Sequence, residues 1–238
     1  WDRGTYACHA FTDRKVEVTL RGERGRAVGR YGLFPIGSGE EWMIHRIDPP
    51  ADPDRAPLPE QLVPMLAKPG ELPPADEDAR WAYEVKWDGV RALLWSDHGH
   101  VTIRSRTQRE ITDRYPEVRA IGRALGAHEA LLDGELVAFD ERGRPSFERL
   151  QRRMHASTAA AIRRAARGTP VTYVIFDLLH LDGRSLLQRP YEERRAALEG
   201  LALDGPAWRT PRFHRGHGAA LLAATREQGL EGVVAKRL

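Results

Sequence analysis

Five prolines fall within the eleven residues from Pro49 to Pro59. No helix or sheet ladder runs through such a stretch, because each proline fixes φ and lacks the backbone N–H. The segment is also poor in large apolar residues, so it reads as an extended, semi-rigid linker over 49–60. It divides the 238 residues into a short leader and a long body that must fold by separate patterns. With 41% hydrophobic residues, the chain can bury a core in one or two domains.

The leader, 1–48, reads as a small all-β fragment. Lys15-Val16-Glu17-Val18-Thr19-Leu20 alternates, Arg21 to Gly25 turns, and Arg30 to Phe34 and Trp42 to Ile47 supply further strands. In the body, 61–238, strands and helices interleave. Ala92 to Trp95 and Val101 to Arg106 flank Asp97-His98-Gly99-His100, a hairpin pattern. Helical spacing marks Glu117 to Leu125, and Phe147 to His155 and Ser157 to Arg167 read as basic helices, with Ser157 as N-cap and Gly168 as stop. Tyr191 to Leu198 and Ala219 to Gln228 are closed by Gly200 and Gly229. This mixture favours α+β, with antiparallel sheets flanked by helices, over a doubly wound sheet.

Composition narrows the chemistry. Cys8 is the sole cysteine, which excludes a disulfide within the chain and a multi-cysteine zinc site. The net charge of +3 permits contact with a polyanion without demanding it. No phosphate loop of the Gly-x-x-x-x-Gly-Lys type is present, and His214-x-x-His217 reads as a loop accident. No apolar run approaches a membrane span and no signal peptide is visible, so a cytoplasmic protein without a membrane partner is expected.

The segment Glu84-Val85-Lys86-Trp87-Asp88-Gly89-Val90-Arg91 carries the sharpest chemical signal. Tyr83, Val85 and Trp87 alternate onto one strand face, which puts Glu84 and Lys86 together on the other. Lys86 then meets an Asp-Gly turn pair and an arginine able to hold a phosphate or a ribose. Lysine is a nucleophile only where its neutral amine is accessible. By itself the octapeptide fits an exposed lysine before a hairpin turn equally well. Glu135, after Asp133-Gly134, stands at what reads as a strand start, beside a common turn pair. Phe176 sits in the apolar run Val174 to Leu179, a core pattern broken only by Asp177.

Taken in order, Glu84–Arg91, Leu132–Asp140, Tyr173–Leu179 and Glu231–Arg237 resemble the motifs of the ATP-dependent DNA ligases. These belong to the covalent nucleotidyltransferase superfamily, with capping enzymes and RNA ligases. The resemblance covers roughly Pro64 to Leu238 and implies the DNA ligase adenylation fold, ATP as cofactor and Mg²⁺ (or Mn²⁺) as metal. It implies Lys86 as the nucleophile that takes AMP. Arg91 and Arg106 would contact the nucleotide near its sugar, and Glu135 the ribose and the metal region. Phe176 would stack on the purine. Glu231 would hold the metal and Lys236 the α-phosphate, while Glu84 would lie by the adenine. Strand parity alone puts Glu231 and Lys236, five residues apart, on opposite faces; a bend at Gly232 would reconcile them.

The resemblance also places a further lysine motif and an OB-fold domain after residue 238, so the chain as given is expected to bind ATP without sealing a nick alone. Residues 1–48, with Trp1 to Tyr6 and Glu41 to Arg46, resemble the tail of the 3′-phosphoesterase domain joined to bacterial end-joining ligases. Together these imply repair and recombination of nicked or broken double-stranded DNA near the bacterial nucleoid, alongside a DNA-end-binding repair protein. Two other readings share parts of the pattern. An RNA ligase or capping-type enzyme uses the same lysine chemistry. A non-catalytic nucleic-acid-binding fragment would rest on the basic helices at Arg149–Arg153 and Arg163–Arg167.

Overall fold

The alternating leader folds as a four-stranded antiparallel meander, ordered as in the chain: β1 (Gly4–Thr12), β2 (Lys15–Gly22), β3 (Val28–Ile36) and β4 (Glu41–Arg46). The computed structural model describes residues 2–24, 27–36, 41–48 and 55–238, in two compact units, 1–55 and 56–238. Trp1, Gly25 of the expected turn and residues 49–54 of the expected linker lie outside the described residues. In the leader Val18 and Ala27 are buried, whereas Tyr6, Phe11, Met43 and Ile44 stay exposed.

The second unit contains two sheets. Its first five strands are β5 (Trp81–Val85), β6 (Val90–Asp97), β7 (His100–Ser105), β8 (Ala130–Ala138) and β9 (Val171–Leu181). Shorter pieces are β10 (Arg184–Ser185), β11 (Asp204–Gly205), β12 (Trp208–Arg209) and β13 (His214–Arg215), and β14 (Val233–Arg237) closes the chain. The larger sheet runs β11-β12-β9-β8-β6-β7 with β10 on β9, and the smaller runs β13-β5-β14. Every pairing is antiparallel except β12 with β9. The β6–β7 hairpin turns at His98 and Gly99, both with positive φ (49° and 83°), as a two-residue loop requires.

Six helices flank the sheets: α1 (Pro116–Arg119), α2 (Ile121–Leu125), α3 (Phe147–Met154), α4 (Ala159–Gly168), α5 (Tyr191–Gly200) and α6 (Gly218–Glu227). The helix expected over 117–125 is two short pieces that meet at Ala120. The N-cap of α4 is Thr158, not Ser157, because the Thr158 side chain accepts from the Ala161 N–H at 3.2 Å. The basic helix α3 does not offer a free cationic face. Arg153 is buried on Glu117, while Arg149 and Arg152 pair with Glu141 and Glu148.

Period-2 alternation gives the larger sheet two different faces. Ala92, Leu94, Leu132, Leu136, Tyr173 and Ile175 bury one face in the main core, which also takes in Val118, Ile121, Leu125, Leu150 and Leu198 from the helices. The other face carries a second, smaller cluster, Leu93, Trp95, Leu131 and Leu179, with Leu58 and Leu62 packed on it. The indole N–H of Trp95 donates to Pro59 O at 2.7 Å, and the Ala56 N–H donates to Gly183 O at 2.7 Å. The expected linker is therefore docked chain from Ala56 onward. By the same parity Arg91, Asp133 and Glu135 belong to this second face.

Candidate active site

Asp133-Gly134 is not a turn, and Glu135 does not begin a strand; all three lie inside β8. A Cβ on Gly134 would sit 2.5 Å from Val174 O and 2.6 Å from the Tyr173 ring. The glycine is there for close approach of β9, and the Tyr173 hydroxyl crosses it to donate to Ala92 O at 3.0 Å. Opposite it the β8–β9 register shifts between Asp133 and Gly134: Asp133 faces Asp177, and Gly134 faces Ile175. The extra residue is Phe176. Such a bulge re-aims side chains, and the Arg91 guanidinium lies over the Phe176 ring, 4.5 Å from its centre.

Arg91 also makes a bidentate pair with Asp133, at 2.6 and 2.7 Å. Burial pushes the Asp133 carboxyl up, against the two guanidinium hydrogen bonds that favour its charge. Two strand positions on, Glu135 accepts no comparable fork. Burial pushes its carboxyl up to about 8; Arg91 and Lys86 oppose that, while Asp133 and Asp88 add to it. Arg106 follows β7 with its side chain exposed, and its backbone N–H donates to Arg91 O at 3.2 Å.

The small sheet supplies the other half. β5 and β14 pair with Val234 opposite Glu84 and Lys236 opposite Ala82. Lys86 does not precede a hairpin turn: β5 and β6 belong to different sheets, and Lys86–Gly89 is the crossing between them. The Lys86 N–H donates to Gly232 O at 2.8 Å, which extends the ladder past β5. Gly232 has φ +146°, a backbone that L side chains rarely adopt. This turn of the backbone brings Glu231 onto Lys86, whose Nζ pairs with the Glu231 carboxylate. Glu231 and Lys236 thus serve one cluster despite their odd spacing.

Glu84 is 4% exposed and does not project into open space. Its carboxylate accepts from Lys236 Nζ at 2.7 Å and from the Tyr191 hydroxyl, with Arg195 at 3.9 Å. Burial, then the Glu84 charge, raises the Tyr191 phenol, which holds it as a neutral donor. Lys236 in turn lies over the Phe176 ring at 4.7 Å. Its ammonium and the Arg91 guanidinium share that ring and make one continuous group. Tyr191 and Arg195 were not among the residues singled out from sequence. Their i, i+4 spacing on α5 places them on one helix face, and both reach Glu84. Asp133 shares strand parity with Glu135, and the turn composition of Asp-Gly hides it in the sequence. Arg194 completes the set, with a fork to Asp177 at 2.8 and 2.9 Å.

The chemistry of this group is that of a polyanion cradle beside an accessible amine. Lys86, Arg91 and Lys236 are its cations, Phe176 offers a ring, and Glu135 and Glu231 are carboxylates at its edge; Arg106 joins it through the main chain alone. Residues 64–238 match the family model for the ATP dependent DNA ligase domain. The chain belongs to the ATP-dependent DNA ligase family. Over its whole length it is 40% identical to the multifunctional non-homologous end joining protein LigD of Mycobacterium bovis, of which it covers 29%. It is 36% identical to DNA ligase C1 of Mycolicibacterium smegmatis, over 76% of this chain and 53% of that one. The ligase domain of M. tuberculosis LigD superposes with a TM-score of 0.62 at 41% identity, covering 74% of this chain and 54% of the other. A mycobacterial DNA ligase D complexed with ATP and MES gives 0.63 at 42% identity, with the same coverages. These matches carry the expected fold, α+β with antiparallel sheets flanked by helices. The chain spans under a third of the length of the LigD relatives.

Proposed function

We propose that the second unit is the nucleotidyltransferase core of a DNA ligase that joins breaks in double-stranded DNA during end joining. The observation that carries this is the position of Lys86. It sits at the crossing between two sheets, half exposed, with its main chain fixed by Gly232 and its amine on Glu231, while Arg91, Phe176 and Lys236, from three strands, form the neighbouring group. The neutral Lys86 amine attacks the α-phosphorus of ATP. An N–P bond forms, the bond to the bridging oxygen breaks, and pyrophosphate leaves with its electron pair. The ammonium gives up one proton to solvent before attack and the new N–P adduct gives up a second as the pyrophosphate leaves, so the enzyme holds AMP as a phosphoramidate. Positioning and charge neutralisation dominate such a transfer.

Lys236, Arg91 and Arg106 would meet the phosphates and the sugar, and the Phe176 ring the purine. Glu84 is better suited to holding Lys236 in place than to reading adenine, since Lys236 and Tyr191 already occupy its oxygens. Among the described residues no three of His, Cys, Asp and Glu converge as a metal cage. Mg²⁺ is commonly held by one or two carboxylates together with substrate phosphates, and Glu231 and Glu135 fit that manner of binding. Bound there, the metal (Mg²⁺ or Mn²⁺) would neutralise charge on the leaving pyrophosphate.

The LigD relatives are named for non-homologous end joining, and this supports nicked or broken DNA as substrate and a DNA-end-binding protein as partner. The same names support work on chromosomal DNA in a bacterial cytoplasm; no described helix is long and apolar enough to cross a membrane. We assign residues 1–48 to the end of a 3′-phosphoesterase-like domain, on the strength of the whole-length match to LigD. Incubation with α-labelled ATP and Mg²⁺ is expected to give label on the protein that survives denaturation and alkali and is released by acid, as a P–N bond requires, and GTP is expected to give little. Label of equal intensity on Lys86→Ala would overturn the assignment.

A further inference from the structure

A cavity of about 460 Å³ is lined by the chain neighbours of the Lys86–Glu231 pair. Trp87, which follows Lys86, and Leu230, which precedes Glu231, both line it, together with Arg142, Arg144 and Arg209. None of these arginines takes part in the cluster described above. Their placement is built into the fold. The Asp140 carboxylate accepts from the backbone N–H of Arg142 at 2.9 Å and of Arg144 at 2.8 Å, which folds 140–144 into a tight turn after β8. The Arg209 guanidinium, on β12, is clamped between two rings, 5.3 Å from Trp87 and 4.6 Å from Phe139, themselves edge to face at 6.3 Å.

The charges do not balance. Glu227 is the one acid among the lining residues, and Asp140, outside the lining, is taken by the turn and by Arg144 at 3.3 Å. Among the described residues neither Arg142 nor Arg209 has an ion-pair partner. Burial pulls the Arg209 guanidinium down, with only Asp204 opposing, so this cation is desolvated without a counter-ion in contact. The Arg209 guanidinium lies over two rings with no hydrogen-bond or ion-pair partner among the described residues, which leaves its terminal N–H groups for an oxyanion, and the neighbouring Arg142 and Arg144 make the lining suit a phosphate better than a carboxylate.

We propose that this cavity is a phosphate site that receives a backbone phosphate of the DNA strand presented to Lys86. The proposal rests on the ligase reading for its ligand. Pyrophosphate released by adenylation carries the same chemistry and is the other source. The strand is favoured because the cavity spans far more than one phosphate and is walled by Trp87 and Leu230, which suits a sugar–phosphate segment.

The test uses Arg142→Ala, an exposed side chain whose loss leaves the turn's backbone bonds in place, with Arg209→Lys as a second variant that keeps charge and loses the fork. Binding of a nicked duplex is followed by fluorescence anisotropy across salt concentrations. Arg142→Ala is expected to weaken binding about 5-fold and to lower the log–log salt slope by about one. Arg209→Lys is expected to weaken binding about 3-fold with the slope kept. In parallel, inorganic pyrophosphate is titrated against the labelled lysyl-AMP form. If the variants shift only the pyrophosphate needed for reversal, the strand assignment falls and the phosphate site stands with pyrophosphate as its ligand. If both variants melt as wild type and neither measurement moves, the proposal is overturned. Failure of wild type to take label would strike at the ligase reading alone, because duplex binding is read without it.

Discussion

Two lysine–glutamate pairs tie β5 and its extension to β14, and they differ in kind. At the open end Lys86 and Glu231 keep side-chain exposures of 45% and 42%. At the closed end Lys236 and Glu84 keep 20% and 5%, and Tyr191 and Arg195 add to the hold on Glu84. An exposed pair exchanges readily with water and other ions and contributes about 0–1 kcal/mol. A buried pair with further hydrogen bonds is locked, because removing one partner strands the other without compensation. One strand pair therefore carries a lysine that can leave its partner and a lysine that cannot. The first property suits a nucleophile, and the second suits a fixed cation.

The widest gap is expected in stability when each glutamate is removed. Glu84→Ala should lower the unfolding free energy by about 3–5 kcal/mol, since it leaves Lys236 and Tyr191 facing a buried void. Glu231→Ala should lower it by less than about 1 kcal/mol. Urea unfolding of the two variants decides this, and equal losses would erase the distinction between the pairs.

A smaller effect concerns Glu135, which lies between the open pair and Arg91. Its carboxyl titrates near 8 in the folded chain against an ordinary 4.5. The folded state holds that proton more tightly than the unfolded chain does, so stability should fall as pH rises from about 4.5 to 8. Glu135→Gln should flatten this slope and stabilise the protein at pH 8 by on the order of 2 kcal/mol, after allowance for its partial exposure. Thermal midpoints at pH 5 and pH 8 read the effect, and an unchanged slope in the variant would assign the pH dependence to other groups.

The smallest change is Tyr191→Phe. It removes one donor to Glu84 and leaves the Lys236 pair intact, for a loss of about 1–2 kcal/mol. AMP labelling should slow without being lost, and Lys86→Ala should lose it altogether. A Tyr191→Phe enzyme that labels as fast as wild type would show that the closed pair needs no second anchor.

The candidate residues are legible through the resemblance that four ordered segments carry, since the octapeptide around Lys86 by itself fits an exposed lysine equally well. Lys86, Arg91, Glu231 and Lys236 were named from sequence, and the structure brings them together with Phe176 and Glu135. Misread parts share a cause. Asp133-Gly134 has the composition of a turn, and only the approach of Tyr173 explains a glycine in mid-strand. Ser157 and Thr158 are both good caps, and the choice depends on where α4 packs. Part of the linker is glued to the sheet by Trp95 and Leu58, a contact between residues far apart in the chain.

By itself the sequence determined which chemical groups are available and which strand faces they occupy, because residue type and period-2 geometry are local. It also set the turn at His98-Gly99. The tertiary structure decided who faces whom. Glu84 became the anchor of Lys236 through a helix more than a hundred residues away, and Gly232 turned Glu231 onto Lys86. A bulge at Phe176 set its ring beneath two cations. These outcomes depend on long-range register and on packing between sheets, and no local pattern encodes either.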